Sequence, residues 1–200
     1  MCSAVAAALA GITFIVVMTL VLDSALDFYV YYLAADLIAG DRSPYTVAQE
    51  TWDRLAAAHD IGFYAWPYRY SPHTAILVMP LTVLPPYWAM VVWTAMNCAA
   101  VLAGAILVGR AVGGRWGVPV SLVTLAWFGP FYNSIGNGQV EGLAFLGLAL
   151  GFWGLARGRD GVAGLGVAVA AALKLTPLAL VVYFGWRRRS DSISDPPIRP

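Results

Sequence analysis

The sequence predicts an all-α integral membrane protein, a multi-pass helix bundle with interfacial helices in its first external loop. Three observations carry that reading. Of the 200 residues, 60% are hydrophobic and only 12% are charged, about half the charged share of an ordinary soluble domain. Mean hydropathy is +0.71. Apolar runs succeed one another at about 4–22, 74–84, 87–108, 117–132, 139–156, 161–173 and 177–186, with the charges gathered between them. The lipid bilayer is therefore the first expected partner. The net charge of +1 and the scattered arginines give no basic cluster suited to nucleic acid.

The first run, AVAAALAGITFIVVMTLVL, is uncharged and long enough to cross a bilayer. It has no Lys or Arg before it and is longer than a secretory h-region, so it reads as an uncleaved span. The run 74–84 is short, contains Pro80 and is followed by Pro85 and Pro86. It is expected as a broken or re-entrant helix buried against protein. Arg110 with Arg115, Arg157 with Arg159, and the triplet Arg187 to Arg189 fall between or after the later runs. The positive-inside rule places the N-terminus and residues 109–116, 157–160 and 187–200 in the cytoplasm, and loop 23–73 outside a cell membrane. Those assignments agree only with six crossings, at 4–22, 87–108, 117–132, 139–156, 161–173 and 177–186. Residues 1–189 then form one transmembrane domain. The tail 190–200, SDSISDPPIRP, is polar and proline-rich and is expected to be disordered.

The loop 23–73 holds seven acids, three arginines, His59 and His73. Within it, 27–40 is predicted as an interfacial helix with Asp27, Tyr31, Ala34 and Ala35 on one face, ended by Gly40. A second short helix is predicted at 47–59. Tyr64, Trp66, Tyr68 and Tyr70 then alternate into Pro72. Such aromatics suit the headgroup level, and they also suit sugar rings.

Four places offer chemistry. Asp27 follows the first span closely, where a carboxylate is wet enough to ionise and close enough to meet a lipid headgroup. It suits a general base, and it suits equally a charge that ends a span. Lys174 interrupts AVAAALKLTPLAL, where an ammonium either snorkels to the surface or pairs with an anion such as phosphate. The turn NSIGNGQVEG brings Asn137, Gln139 and Glu141 to the start of a span, whose free N–H groups suit an anion or a sugar hydroxyl. Capping of that span by Asn137 would account for part of the pattern. In YRYSPH, Arg69 is a candidate phosphate contact, or a partner for one of the loop acids. Two histidines without nearby cysteines make no metal motif. Cys2 and Cys98 are unlikely partners and fix no redox compartment. No nucleophile elbow or phosphate-binding glycine loop is present.

Four blocks in order, LDFYVYYLAADLIAGDRSPY at 26–45, YRYSPHTAILVMPLTVLP at 68–85, GNGQVEGLAFLGLAL at 136–150 and GLGVAVAAALKLTPLAL at 164–180, resemble glycosyltransferase family 87. These are membrane mannosyltransferases of the C-type glycosyltransferase fold. The resemblance implies transfer of a sugar from a polyprenyl-phosphate donor, a hexose (mannose) in most relatives and the pentose arabinofuranose in some. The acceptor would be a glycolipid or glycan at the outer face, with inversion and no cofactor or metal. It implies Asp27 as catalytic base and Lys174, with Arg69, at the donor phosphate. Tyr31, Tyr45, Tyr68, His73, Asn137, Gln139 and Glu141 are then the substrate-binding candidates.

The sequence departs from the family in two respects. Glu141 stands where asparagine is the commoner residue, and relatives are markedly longer, with further spans. A truncated or frameshifted product, inactive or serving as a non-catalytic membrane subunit, is the alternative expectation. A transporter would carry ionisable residues at mid-membrane on several helices, and only Lys174 lies that deep.

Overall fold

A computed structural model describes residues 25–62, 66–182 and 186. The predicted first span, the tail 190–200 and most of the end of run 177–186 lie outside these residues. Among the described residues, eight α-helices and one 3-10 segment follow each other with no strand. They are α1 (Leu26–Ala39), α2 (Gln49–Ala58), α3 (Pro72–Val78), the 3-10 segment Met79–Val83, α4 (Pro86–Val112), α5 (Gly117–Ala126), α6 (Gly129–Gly136), α7 (Glu141–Ala156) and α8 (Asp160–Leu173).

The segment predicted as an interfacial helix at 27–40 is instead the core of the first half. Phe28, Tyr31, Tyr32, Leu33, Ala34 and Ala35 on α1 are all essentially inaccessible. A helix that is apolar on every side belongs inside, and α1 is enclosed by α3, the 3-10 segment, α4 and α2. Its end also differs from expectation. Gly40 keeps a negative φ, while Asp41 takes the left-handed turn at φ 56°. The Arg42 and Asp41 amides then donate to the Leu37 and Ile38 carbonyls. A short polar side chain tolerates this conformation better than most. Asp60 closes α2 in the same way, at φ 54°.

The proline-flanked run breaks as expected. Ser71 accepts the His73 amide at the N-cap of α3, Pro72 takes the first helical position, and the chain tightens to 3-10 geometry through Pro80. Tyr32 ties this segment down by donating to the Leu84 carbonyl at 2.9 Å. Pro86 then opens α4, whose 27 residues are long and apolar enough to cross a bilayer.

The predicted span 117–132 is not one helix. α5 stops at Ala126, Phe128 is extended at ψ 91°, and α6 restarts with Pro130 in its first turn. A continuous helix would place the Pro130 ring against the Ala126 carbonyl and remove that carbonyl's donor. The Tyr132 hydroxyl supplies the donor instead, at 2.7 Å.

Close approaches show how the later helices run. A Cβ on Gly142 would meet Asn97, and one on Gly104 would meet Phe145 and Ala149, so α4 and α7 are parallel. Ser121 donates to the Ala105 carbonyl and Gly109 abuts Val118, so α5 runs back along α4. Gly147, Gly151 and Gly154 of α7 face Ala170 and Gly166, Val167 and Ala163 of α8 in antiparallel order. These small residues let the two backbones touch. The alternation puts Arg110, Arg115, Arg157 and Arg159 at one end of the bundle. Asp27, Glu141 and Lys174 lie at the other.

A Cβ at Gly166 would lie 2.5 Å from both the Gly147 carbonyl oxygen and the Gly151 nitrogen. Gly166→Val should therefore separate α7 from α8 and cost about 3 kcal/mol. The expected readout is a lowered thermal midpoint in detergent, with Gly164→Val, which meets open space, as the tolerated control.

Candidate active site at the turn between α6 and α7

Residues 137–140 form a tight turn that docks against two other helices. Gly138 adopts φ 67°, and a Cβ there would lie 2.6 Å from Phe28 Cβ and 3.2 Å from Ala25 Cβ. Both the dihedral and the space call for glycine. The Gly138 carbonyl accepts the Trp93 indole N–H of α4 at 2.8 Å. The Asn137 carbonyl accepts the Asp27 amide at 3.0 Å, one of the free N–H groups of the first turn of α1.

This docking brings the side chains of the turn to Asp27. Gln139 donates from Nε2 to Asp27 Oδ2 at 2.7 Å. Two residues on, Glu141 Oε1 is ion-paired with Lys174 Nζ, and Ser134 donates to Glu141 Oε2 at 3.3 Å. Lys174 reaches this point because α8 ends at it: its backbone is extended, and its own amide still bonds to Ala170. Thus the base candidate and the cation candidate, 147 positions apart by number, are held by one turn through Gln139 and Glu141.

A tyrosine wall stands behind the carboxylates. Tyr31 is edge-on to Tyr70, with ring centres 4.7 Å apart, and Tyr68 lies beside both. Burial raises the Tyr31 phenol well above the ordinary range, and the charges of neighbouring Asp27 and Glu141 add to it. Burial likewise raises Tyr70, followed by its interaction with the Asp27 carboxylate, and burial raises Tyr68. Tyr31 and Tyr70 remain neutral beside the two carboxylates.

The other sequence candidates divide. Tyr31 and Tyr68, expected as substrate contacts, are buried, at 0% and 3% exposure. Tyr68 instead closes α3, donating to the Ser71 carbonyl at 2.5 Å and accepting the Ala75 amide. Tyr45 is exposed and bonds to the Tyr70 carbonyl at 2.7 Å, bracing the wall from outside. His73 is exposed and its Nδ1 lies 2.9 Å from the Ser71 hydroxyl, which also donates to the Ala172 carbonyl and so ties α3 to the end of α8. Asn137 does not cap α7. Its side chain donates back to the Asn133 carbonyl and finishes α6, because α7 begins only at Glu141. Arg69, between Tyr68 and Tyr70, is exposed. Tyr70 and Ser134 are the two site residues that sequence reasoning passed over. The alternation of aromatics through Tyr68 and Tyr70 was the available signal for the first, and the motif NSIGNGQVEG, which contains Ser134, was the signal for the second. Among the described residues no group of His, Cys, Asp and Glu is arranged to hold a metal ion.

Beside the network lies an apolar groove of about 690 Å³ between α4, α5, α6 and α7. Among the described residues lining it, Glu141 alone is charged, and Ser134 sits next to it at the same end.

Known proteins are similar to this sequence. The profile of glycosyltransferase family 87 matches residues 68–193, well over half the chain. The chain belongs to this family. A relative, the polyprenol-phosphate-mannose-dependent alpha-(1-2)-phosphatidylinositol pentamannoside mannosyltransferase of Mycobacterium tuberculosis (strain CDC 1551 / Oshkosh), is 29% identical over 129 residues. That alignment covers 62% of the chain and 29% of the relative, so the chain spans less than a third of that protein's length. No solved structure matches. The family match includes Gln139, Glu141 and Lys174 but begins after Asp27, so the geometry is what ties Asp27 to the shared region.

Two outcomes are expected. Gly138→Ala should cost about 2 kcal/mol through its left-handed dihedral and the contact with Phe28, seen as a lower thermal midpoint. The buried phenols have folded pKa values raised above the ordinary 10.0. The unfolded chain therefore releases their protons first as pH climbs past that value. Their contribution to stability is complete below it and is lost above it. Tyrosinate absorbance should show at least three of the ten tyrosines withholding ionisation until the fold opens.

Proposed function

We propose that the chain transfers a hexose, mannose by analogy with the relative, from a polyprenyl-phosphate sugar to a hydroxyl of a glycolipid or glycan. The observation that carries the proposal is that Gln139 bonds to Asp27 while Glu141, two residues on, pairs with Lys174. Family membership supplies the reaction class. The apolar groove running to Glu141 supports a donor with a lipid tail, since an isoprenoid chain gains by leaving water and a phosphate gains by meeting a cation.

The chemistry is a single displacement. The acceptor oxygen forms a bond to the anomeric carbon as the bond from that carbon to the phosphate oxygen breaks. Asp27 takes the proton of the acceptor hydroxyl. Gln139 keeps one carboxylate oxygen aimed. The phosphate departs as an anion, and Lys174 offsets the charge that gathers on it. The anomeric centre inverts. No metal or nucleotide enters these steps.

The site sits at the bundle end opposite the arginines. With those arginines in the cytoplasm, the transfer takes place at the outer face of the cell membrane. α4 spans the bilayer in this arrangement, and α5 with α6, α7 and α8 complete a multi-pass domain.

The test is transfer from polyprenyl-phosphate mannose in membranes holding the chain. Asp27→Asn should lower turnover by at least about a hundredfold while leaving membrane insertion intact. Gln139→Ala should lower it less and without a large change in donor KM. Undiminished transfer by Asp27→Asn would rule out the base assignment.

A further inference from the structure

The ion pair between Lys174 and Glu141 sets a problem for any phosphate that is to reach Lys174. The ammonium already has an anion, and that anion lies at the end of the groove along which a lipid tail would lie. Glu141 has a second place to go. Its other carboxylate oxygen accepts the hydroxyl of Ser134, a residue almost fully buried and fixed within α6. Glu141 also sits in the first turn of α7, where free backbone N–H groups favour a negative charge. It can release Lys174 and remain charged nearby.

We propose that Glu141 is a charge placeholder that lets the site distinguish the sugar-loaded lipid phosphate from the spent one. The inference rests on the reading of Lys174 as the donor phosphate's partner. A polyprenyl-phosphate sugar is a phosphodiester and carries one negative charge. The product left after transfer is a monoester, which carries close to two near neutral pH because its second pKa is about 6. With Glu141 held on Ser134, one negative charge on the ligand is matched by Lys174, while a second meets a carboxylate. The dianionic product is therefore the worse tenant, and Glu141 returns to Lys174 as it leaves. An asparagine or glutamine at this position would lack the charge and would not discriminate. Glu141 is thus a specificity-determining residue for the carrier's charge state, separate from the proton transfer at Asp27.

Equilibrium binding of farnesyl phosphate and of its mannosyl diester to the purified full chain in detergent separates the possibilities. Glu141→Gln should tighten farnesyl phosphate about tenfold and the diester several-fold less, so that preference shifts toward the monoester. Glu141→Ser, small and polar like its neighbour Ser134, carries the same expectation should the first variant not accumulate. Lys174→Gln should weaken both ligands. Weakening by Lys174→Gln with no shift in preference on removing the Glu141 charge would overturn the placeholder and leave the Lys174 assignment standing. Unchanged binding of both ligands to Lys174→Gln would overturn the Lys174 assignment and the placeholder with it.

Discussion

The docking of the turn at Gly138 onto the first turn of α1 is the constraint on which the rest of the site depends. No side chain fits between Gly138 and Phe28, and Gly138 takes a left-handed dihedral. Asn137 then meets the Asp27 amide from one side of the glycine, and Gln139 meets the Asp27 carboxylate from the other. The Trp93 indole locks the glycine's own carbonyl to α4. Three elements far apart in sequence are fixed by contacts that leave little freedom for adjustment. A carboxylate whose own backbone N–H is tied to the Asn137 carbonyl, and whose oxygen accepts a side-chain amide, is already oriented before any ligand arrives.

Electrostatics follow from that geometry. Asp27 and Glu141 are both carried to one end of the bundle, and the tyrosine wall behind them is kept neutral by burial and by the carboxylates themselves. Lys174 is the only lysine in the chain, and it arrives because α8 gives way to extended backbone at that residue. The opposite end carries arginines resting on Trp116 and Trp153, an arrangement suited to a membrane boundary. The bundle therefore carries Asp27, Glu141 and Lys174 at one end and arginines at the other, joined by helices whose glycines let α7 and α8 meet backbone to backbone.

Much of this was legible in the sequence. Long apolar composition, the proline break before α4 and the helices α4, α7 and α8 follow from hydropathy and helix-stop signals. Asp27, Gln139, Glu141 and Lys174 were singled out because charges and amides beside apolar runs need partners. Hydropathy misled where one residue overrode it: Pro130 splits the run 117–132, and its consequence for the Ala126 carbonyl is visible only once Tyr132 is seen to supply the missing donor. α1 was placed at an interface because Asp27 and its tyrosines looked amphipathic. Its burial depends on α3 and α4 closing over it, which is tertiary information. Tyr31 and Tyr68 are buried for the same reason, and only the structure shows that the Tyr68 hydroxyl bonds to the start of α3.

Zero-length carbodiimide coupling, followed by peptide mass spectrometry, reads the central juxtaposition directly, because an amide to the single lysine reports which carboxylate lies against it. A peptide joining Lys174 to Glu141, lost in Gly138→Val and unaffected by Arg69→Gln, is the expected result. Coupling of Lys174 to Asp36, Asp53 or Asp60 instead, or no coupling under conditions that modify the exposed acids, would contradict the arrangement of the site.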